Sequence, residues 1–233
     1  MPPDGLSAPL YAAPRLLFAA VVCAASVLPA RAQAPAWQDL PWDERIGLSW
    51  YERKAETGDV EAMYRAGQLA ERGLGTEVDP AKARGWYRRA AEAGHARAQY
   101  RLAVMLQRGG PGPADPAAAA RWFQAAADQG LPQAQYNLAV LKERGLGVAE
   151  EPEAARALYR AALRGGIAQA AVNLAGLYET GRGAPKDLVE ALALYDYAVR
   201  VGVPRVAALR ARLAAQVSEA ERRAAAERAA LIP

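Results

Sequence analysis

The chain repeats one pattern every 36 residues, and this period constrains the fold more than any other feature of the sequence. The landmarks are an alanine (Ala62, Ala98, Ala134, Ala170), a glycine (Gly73, Gly109, Gly145, Gly181) and a second glycine (Gly94, Gly130, Gly166, Gly202). Several columns keep one register without an insertion, which is the signature of a solenoid of stacked units. We therefore expect four full repeats, at 59–94, 95–130, 131–166 and 167–202.

Each repeat predicts two helices. Apolar residues recur at helical spacing over Val60–Arg72, which predicts a helix A, and Gly73 follows because glycine tolerates the positive φ of a helix C-cap. Asp79-Pro80 predicts the start of a helix B, since the carboxylate accepts free N–H groups and proline at the first position loses no hydrogen bond. The same signal recurs at Asp115-Pro116 and Glu151-Pro152. The predicted fold class is an all-α solenoid of antiparallel helix pairs.

Half-repeats flank the four copies and predict caps, which the ends of a solenoid need to shield its core from water. Residues 42–58 match a lone helix B, expected from Trp42 to Thr57. Residues 203–233 match a fifth helix A, expected to continue as one long helix to about Ala230, followed by a tail. This gives ten helices.

The first 32 residues predict a secretory signal peptide. Arg15 precedes an apolar run, Leu16–Leu28, and Ala30-Arg31-Ala32 places small residues at a cleavage site after Ala32. Residues 33–41 predict a linker, and the mature protein is expected to be periplasmic or secreted, without stable membrane insertion. A start codon downstream would instead give a cytoplasmic adaptor.

The inventory of reactive side chains argues against an enzyme. The sequence has one histidine, His95, and its one cysteine, Cys23, lies within the predicted signal peptide. The mature serines, Ser49 and Ser218, lie at opposite ends, so neither a catalytic triad nor a zinc site is expected. No cofactor is predicted. The net charge of +4 comes from interspersed charges, which does not indicate nucleic-acid binding.

One carboxylate column leaves an enzymatic alternative open. Glu71, Glu143 and Glu179 share a column, with Gln107 in the second copy. Stacked helices would place them about 10 Å apart, near the separation used in inverting glycoside hydrolysis. The simpler interpretation is that they form surface pairs with the neighbouring Arg72, Arg108 and Arg144.

The repeats resemble Sel1-like repeats, which are relatives of the tetratricopeptide repeats. The resemblance is carried by segments such as AQYNLAVLKERGLGVAEEPEAARALYRAALRGG at 134–166, and it covers 59–202 fully and the flanks by halves. It implies a right-handed superhelix whose A helices line a concave groove, and many bacterial members work in the envelope. It also implies an adaptor, assembly platform or regulator. The high Ala, Arg, Gly and Pro content and the predicted signal peptide favour a bacterial, secreted member.

The register of that family places a set of polar and aromatic residues in the groove. The predicted partner-binding residues are Tyr64, Tyr100, Tyr136, Arg65, Arg101, Asn137, Asn173, Arg72, Arg108 and Arg144. Tyrosine and arginine dominate binding hot spots, although aromatic residues at helical spacing are more often part of a core.

From these residues we expect a non-catalytic adaptor or regulator in the bacterial envelope. Its partner would be a protein or peptide, such as a membrane sensor or an envelope assembly component, and not a nucleic acid. The C-terminal helix is a second candidate surface. The alternative function is an envelope hydrolase acting on peptidoglycan or related glycans.

Overall fold

A computed structural model describes residues 47–232, which form eleven α-helices and no strand within that range. In chain order the helices are α1 (Leu48–Glu56), α2 (Val60–Arg72), α3 (Pro80–Glu92), α4 (Ala96–Arg108), α5 (Pro116–Asp128), α6 (Pro132–Arg144), α7 (Pro152–Arg164), α8 (Gln169–Thr180), α9 (Leu188–Arg200), α10 (Val206–Ala214) and α11 (Glu219–Ala230). The all-α prediction is confirmed. The predicted signal peptide 1–32, the linker 33–41 and residues 42–46 of the N-terminal cap lie outside the described residues.

Each repeat is a helix pair joined by a loop that folds back on the first helix. In the first copy, α2 ends where Gly73 adopts a left-handed conformation with φ of 67°. The Asp79 carboxylate then accepts a hydrogen bond of 2.9 Å from the N–H of Lys82 and so caps α3. The N–H of Asp79 itself donates to the carbonyl of Ala70 at 2.8 Å, which ties the loop to the end of α2. The predicted bounds of helix A and its glycine cap are therefore confirmed.

The acidic cap of helix B is present in three copies and absent from the third. Asp115 and Asp187 each accept a hydrogen bond from the backbone of the first turn that follows. Glu151 stands at the same position before Pro152, but its side chain makes no capping hydrogen bond. Its carboxylate pairs instead with Lys142 at 2.9 Å. The predicted Glu151 cap was wrong, because the extra methylene group carries the carboxylate past the first turn.

The core lies between the two helices of each repeat and between helix B and the next helix A. The aromatic column of helix B fills it, since Tyr87, Phe123 and Tyr159 are fully buried. Alanine occupies the closest approaches, as at Ala90, which is also fully buried, and at its equivalents in the later copies. Small side chains let the helix axes approach closely, and the aromatic rings fill the remaining space.

The loops also connect one repeat to the preceding one. A Cβ placed on Gly147 would lie 2.4 Å from the carbonyl carbon of Pro116, so only glycine allows this loop to sit on the start of α5. Gly183 makes the same close approach to Pro152. The second copy has Pro111 at this position. There an open cleft of about 700 Å³ lies between residues 76–82 and Gly110-Pro111.

The C-terminal region differs from the prediction of one long helix. The structure has α10 and α11, separated at Ala215–Ser218, so the expectation of ten helices was also wrong. Ser218 and Glu221 form a capping box in which the N–H of Ser218 donates to the Glu221 carboxylate at 2.7 Å. A capping box begins a new helix, and the S-x-x-E sequence is its signal. Helix α11 packs against α9 and buries Ala225 and Ala229.

Candidate functional site

One side of the A helices forms a continuous surface, which we call the A-helix face. It comprises the positions of Glu61, Tyr64, Arg65, Gln68 and Arg72 on α2 and the equivalent positions 36, 72 and 108 residues later on α4, α6 and α8. Side chains on successive A helices contact each other across it: an ion pair joins α4 to α2, and a hydrogen bond of 3.4 Å joins α8 to α6. The predicted binding residues therefore lie on neighbouring helices.

The three predicted tyrosines pack against the aromatic residue of helix B in their own repeat. Ring centroids are 5.9 Å apart for Tyr64 and Tyr87, and 5.8 Å apart for Tyr100 and Phe123. Tyr136 packs on its own helix B in the same way. Tyr64 is buried, and the other two are half-buried. Burial raises the pKa of Tyr64.

His95 has a structural position at the start of α4. Its Nδ1 accepts the N–H of Ala98 at 3.1 Å, and its Nε2 lies 3.0 Å from a carboxylate oxygen of Glu61. The ring stacks on Tyr64 with centroids 4.5 Å apart. These contacts require the proton on Nε2, since Nδ1 must accept. The prediction that His95 begins a helix is confirmed, and both ring nitrogens have partners.

The next column of predicted residues comprises Arg65, Arg101, Asn137 and Asn173, and some of these side chains contact the preceding repeat. Arg101 forms an ion pair with Glu71 on α2. Asn173 donates to the hydroxyl of Tyr159 at 3.0 Å and to that of Tyr136 at 3.4 Å. Arg65 and Asn137 bond locally on their own helices. Much of this column therefore connects repeats as well as facing outward.

The last column is the most exposed. Arg72, Arg108 and Arg144 each occupy the final residue of a helix A and are exposed. A cation here interacts favourably with the helix dipole. Arg97, which is not among the predicted binding residues, lies at the other end of α4 on the same side and is also exposed. Its position 36 residues after Glu61 was the signal that would have identified it.

The glutamates that share a column, Glu71, Glu143 and Glu179, each accept a hydrogen bond from a tyrosine hydroxyl of the same repeat. Each also pairs with an arginine that follows later in the chain. The hydroxyl of Tyr87 donates to Glu71 at 2.7 Å, and that of Tyr159 donates to Glu143 at 2.6 Å. The third pair is Tyr195 and Glu179, at 3.2 Å. The interpretation of these glutamates as partners of Arg72, Arg108 and Arg144 missed the tyrosine that lies sixteen residues further on.

The pKa values of these pairs follow from burial and hydrogen bonding. Burial opposes ionisation of Glu71, but hydrogen bonds from Arg101 and Tyr87 outweigh it, so its pKa lies below the ordinary value. Burial and the adjacent carboxylate raise the pKa of the hydroxyls of Tyr87, Tyr159 and Tyr195 far above the ordinary value. Glu71 is therefore held as an anion and the tyrosines as neutral donors, an arrangement that stabilises the helix pair.

The second copy lacks both members of the pair. Gln107 replaces the glutamate and Phe123 replaces the tyrosine. A glutamate at position 107 would find no donor in Phe123, and glutamine there avoids an unpaired, partly buried charge. This joint replacement was visible in the sequence and would have indicated the pairing.

No group of three His, Cys, Asp or Glu side chains in 47–232 is placed to hold a metal ion. No helix in the same range is both long enough and apolar enough to cross a membrane.

The family model described as Sel1 repeat matches residues 38–59, 60–95, 96–131, 132–167 and 168–203. No curated protein matches this chain. Among solved structures, a Sel1 repeat protein from Oxalobacter formigenes is similar, with 26% identity, a TM-score of 0.64 and coverage of 78% of this chain and 75% of that one.

A second similar structure is a protective antigen present in uropathogenic Escherichia coli strains, which displays an SLR fold. It has 25% identity, a TM-score of 0.52 and coverage of 78% of this chain. The match spans 47% of the length of that antigen.

Proposed function

The chain belongs to the Sel1 repeat family, and from this membership we propose that it is a non-catalytic adaptor or regulator that binds a peptide or protein segment on its A-helix face. Sel1 repeats generally form scaffolds for protein–protein interaction. The proposal adds the face that binds and the class of ligand.

The observation that carries the proposal is the contrast between the two sides of the A helices. One side is buried by alanine and leucine, as at Ala98 and Leu102, which are fully buried. On the other side Val104 and Val140 remain only partly buried, and arginines of the last column are exposed. A surface with apolar positions among arginines and amides matches the composition of protein-binding sites.

Rigidity favours binding on such a surface. Arg101 and Asn173 connect neighbouring repeats, and Tyr100 packs on its own helix B. A preformed surface loses little conformational entropy when a ligand binds, so more of the contact energy appears as affinity.

We further propose that the protein acts in the periplasm or outside the cell. The support is the sequence of residues 1–32, with its apolar run and small residues before Ala32. Mass spectrometry of the N-terminal peptide of the protein from a bacterial host tests this, because an N-terminal glutamine cyclises to pyroglutamate and blocks Edman degradation. We expect a new N-terminus at Gln33, whereas an intact N-terminus on cytosolic protein would contradict it.

The binding face is tested by site-specific photo-crosslinking in living cells. A photoreactive phenylalanine analogue replaces exposed Gln133 on α6 or, as the control, exposed Arg121 on α5. Both positions lie on helix surfaces and should leave the core intact. We expect a distinct adduct from position 133 and none from position 121.

The captured protein is then purified and titrated against the unlabelled chain by calorimetry. Saturable binding that is weakened by Asn137→Ala, with its exposed Gln133 neighbour left intact, supports the proposal. Equal adducts from both positions, or adducts only from position 121, would place the interaction on another surface.

A further inference from the structure

We propose that the A-helix face recognises an acidic polypeptide segment, which two exposed arginines of α4, Arg97 and Arg108, hold by its carboxylates. This inference rests on the proposed function and specifies the chemistry of its ligand.

Charge is distributed unevenly along the A-helix face. Helices α2 and α4 together carry five arginines and two glutamates, a net charge of +3. Helices α6 and α8 carry one arginine, one lysine and two glutamates, a net charge of zero. The first half of the surface therefore attracts anions, and the second half does not.

The two glutamates of the basic half are already engaged. Glu61 pairs with Arg65 at 2.8 Å and with His95 at 3.0 Å. Glu71 accepts hydrogen bonds from Tyr87 and Arg101. Neither carboxylate forms an ion pair with the two arginines of the proposal.

Arg97 and Arg108 are exposed, and within 47–232 neither is placed for a direct hydrogen bond or ion pair. Their charges act only at longer range, Arg108 on Glu71 and Arg97 on Tyr64. They are eleven residues apart, which is close to three helical turns, so they project from the same side of α4 about 16 Å apart. A guanidinium group binds a carboxylate through two parallel hydrogen bonds, and this geometry makes arginine well suited to such anions.

The residues between the two arginines favour a polypeptide over a nucleic acid. Val104 is partly buried on this stripe, and Val140 occupies the equivalent position on α6. Single-stranded nucleic acids bind through aromatic rings on which bases stack. The nearby ring of Tyr100 is half-buried against Phe123, so it offers no such platform. Partly exposed valines instead suit the apolar side chains of a peptide.

The test begins with selection from a random phage-displayed library on the immobilised full chain. Peptides of about twelve residues suffice, since an extended strand of that length spans about 40 Å and can reach both arginines. Enriched peptides are labelled with fluorescein and their affinities measured by fluorescence anisotropy. We expect enrichment of Asp and Glu, with affinity that falls as salt rises.

The matched variants are Arg97→Gln/Arg108→Gln and the control Arg88→Gln/Arg121→Gln, which removes the same charge from exposed arginines of helices B. We expect the first to weaken binding on the order of tenfold and the control by less than about twofold. Equal losses would mean unspecific attraction and would overturn the inference. A single-stranded oligonucleotide that binds through Arg97 and Arg108, where acidic peptides do not, would also overturn it.

A third variant, Gln133→Ala/Asn137→Ala, separates the two proposals. Enriched peptides that are not acidic but are weakened by this variant would overturn the inference and leave the proposed function standing. Peptides that respond to none of the A-helix variants, or a library that yields none, would contradict both. Circular dichroism of every variant confirms that the helices remain folded.

Discussion

Replacing Tyr159 with phenylalanine is expected to lower the free energy of unfolding by about 2 kcal/mol. Its hydroxyl donates to Glu143 at 2.6 Å, and the Glu143 side chain is only 20% exposed. The guanidinium group of Arg182 lies 4.0 Å from that carboxylate and donates to the backbone carbonyl of Glu143 at 2.9 Å. A hydrogen bond to a charged group contributes about 1.5–3 kcal/mol, and removing the donor leaves the carboxylate poorly solvated. The amide of Asn173 also loses an acceptor.

The companion change, Glu143→Gln, is expected to cost less, about 1 kcal/mol, because a neutral amide oxygen still accepts from the hydroxyl. The double variant recreates the Phe123 and Gln107 combination of the second copy. It should therefore cost about 1.5 kcal/mol, below the sum of the single changes. The coupling energy is about 1.5 kcal/mol, within the range for residues in contact.

Urea unfolding followed by circular dichroism measures all four members of this cycle. The control cycle combines Tyr159→Phe with Glu71→Gln, which lies two repeats away. That pair should be additive to within about 0.5 kcal/mol. If the effects of Tyr159→Phe and Glu143→Gln were equally additive, the hydrogen bond between the two side chains would contribute nothing to stability, contrary to this prediction.

Three further changes test other parts of the structure. Gly147→Ala should cost more than about 3 kcal/mol, because the added Cβ would lie 2.4 Å from Pro116, whereas Gly75→Ala meets no atom within 4 Å and should cost about 1 kcal/mol for its positive φ. Similar losses in urea unfolding would contradict the close approach. Ser218→Ala should remove about 1 kcal/mol from α11 by deleting its capping box, seen as faster amide hydrogen exchange there and unchanged exchange in α2. Glu71→Gln should weaken the acid sensitivity of folding: the lowered pKa of Glu71 contributes stability at neutral pH that is lost as pH falls below about 4, so a variant with an unchanged acid slope would exclude this contribution.

The helices were predictable because each has a local cause. The bounds Val60–Arg72 follow from apolar periodicity and from Gly73, and Asp79 begins the next helix as expected. The break before α11 also has a local cause, the capping box of Ser218 and Glu221, but the alanine-rich sequence around it favours one continuous helix.

The candidate site was less predictable because its contacts join residues that are distant in sequence. Repeat register correctly places Arg101 and Asn173 on one side of the A helices. It does not reveal that Arg101 pairs with Glu71 thirty residues earlier, or that Asn173 binds the hydroxyl of Tyr159. Such partners depend on how successive helices are offset, which one repeat read alone does not specify.

The location of the tyrosine–glutamate bond has a consequence for how a gene of this kind changes length. Unequal crossing over between the first two copies, at a point between the codons for Glu71 and Tyr87, would join Glu71 to Phe123 or Gln107 to Tyr87. The first product would carry a carboxylate without its donor. Crossovers elsewhere in the unit transfer both partners together, because the bond lies within one copy. Viable changes in repeat number that arise between the first two copies should therefore have their junctions outside the fifteen codons that lie between those of Glu71 and Tyr87.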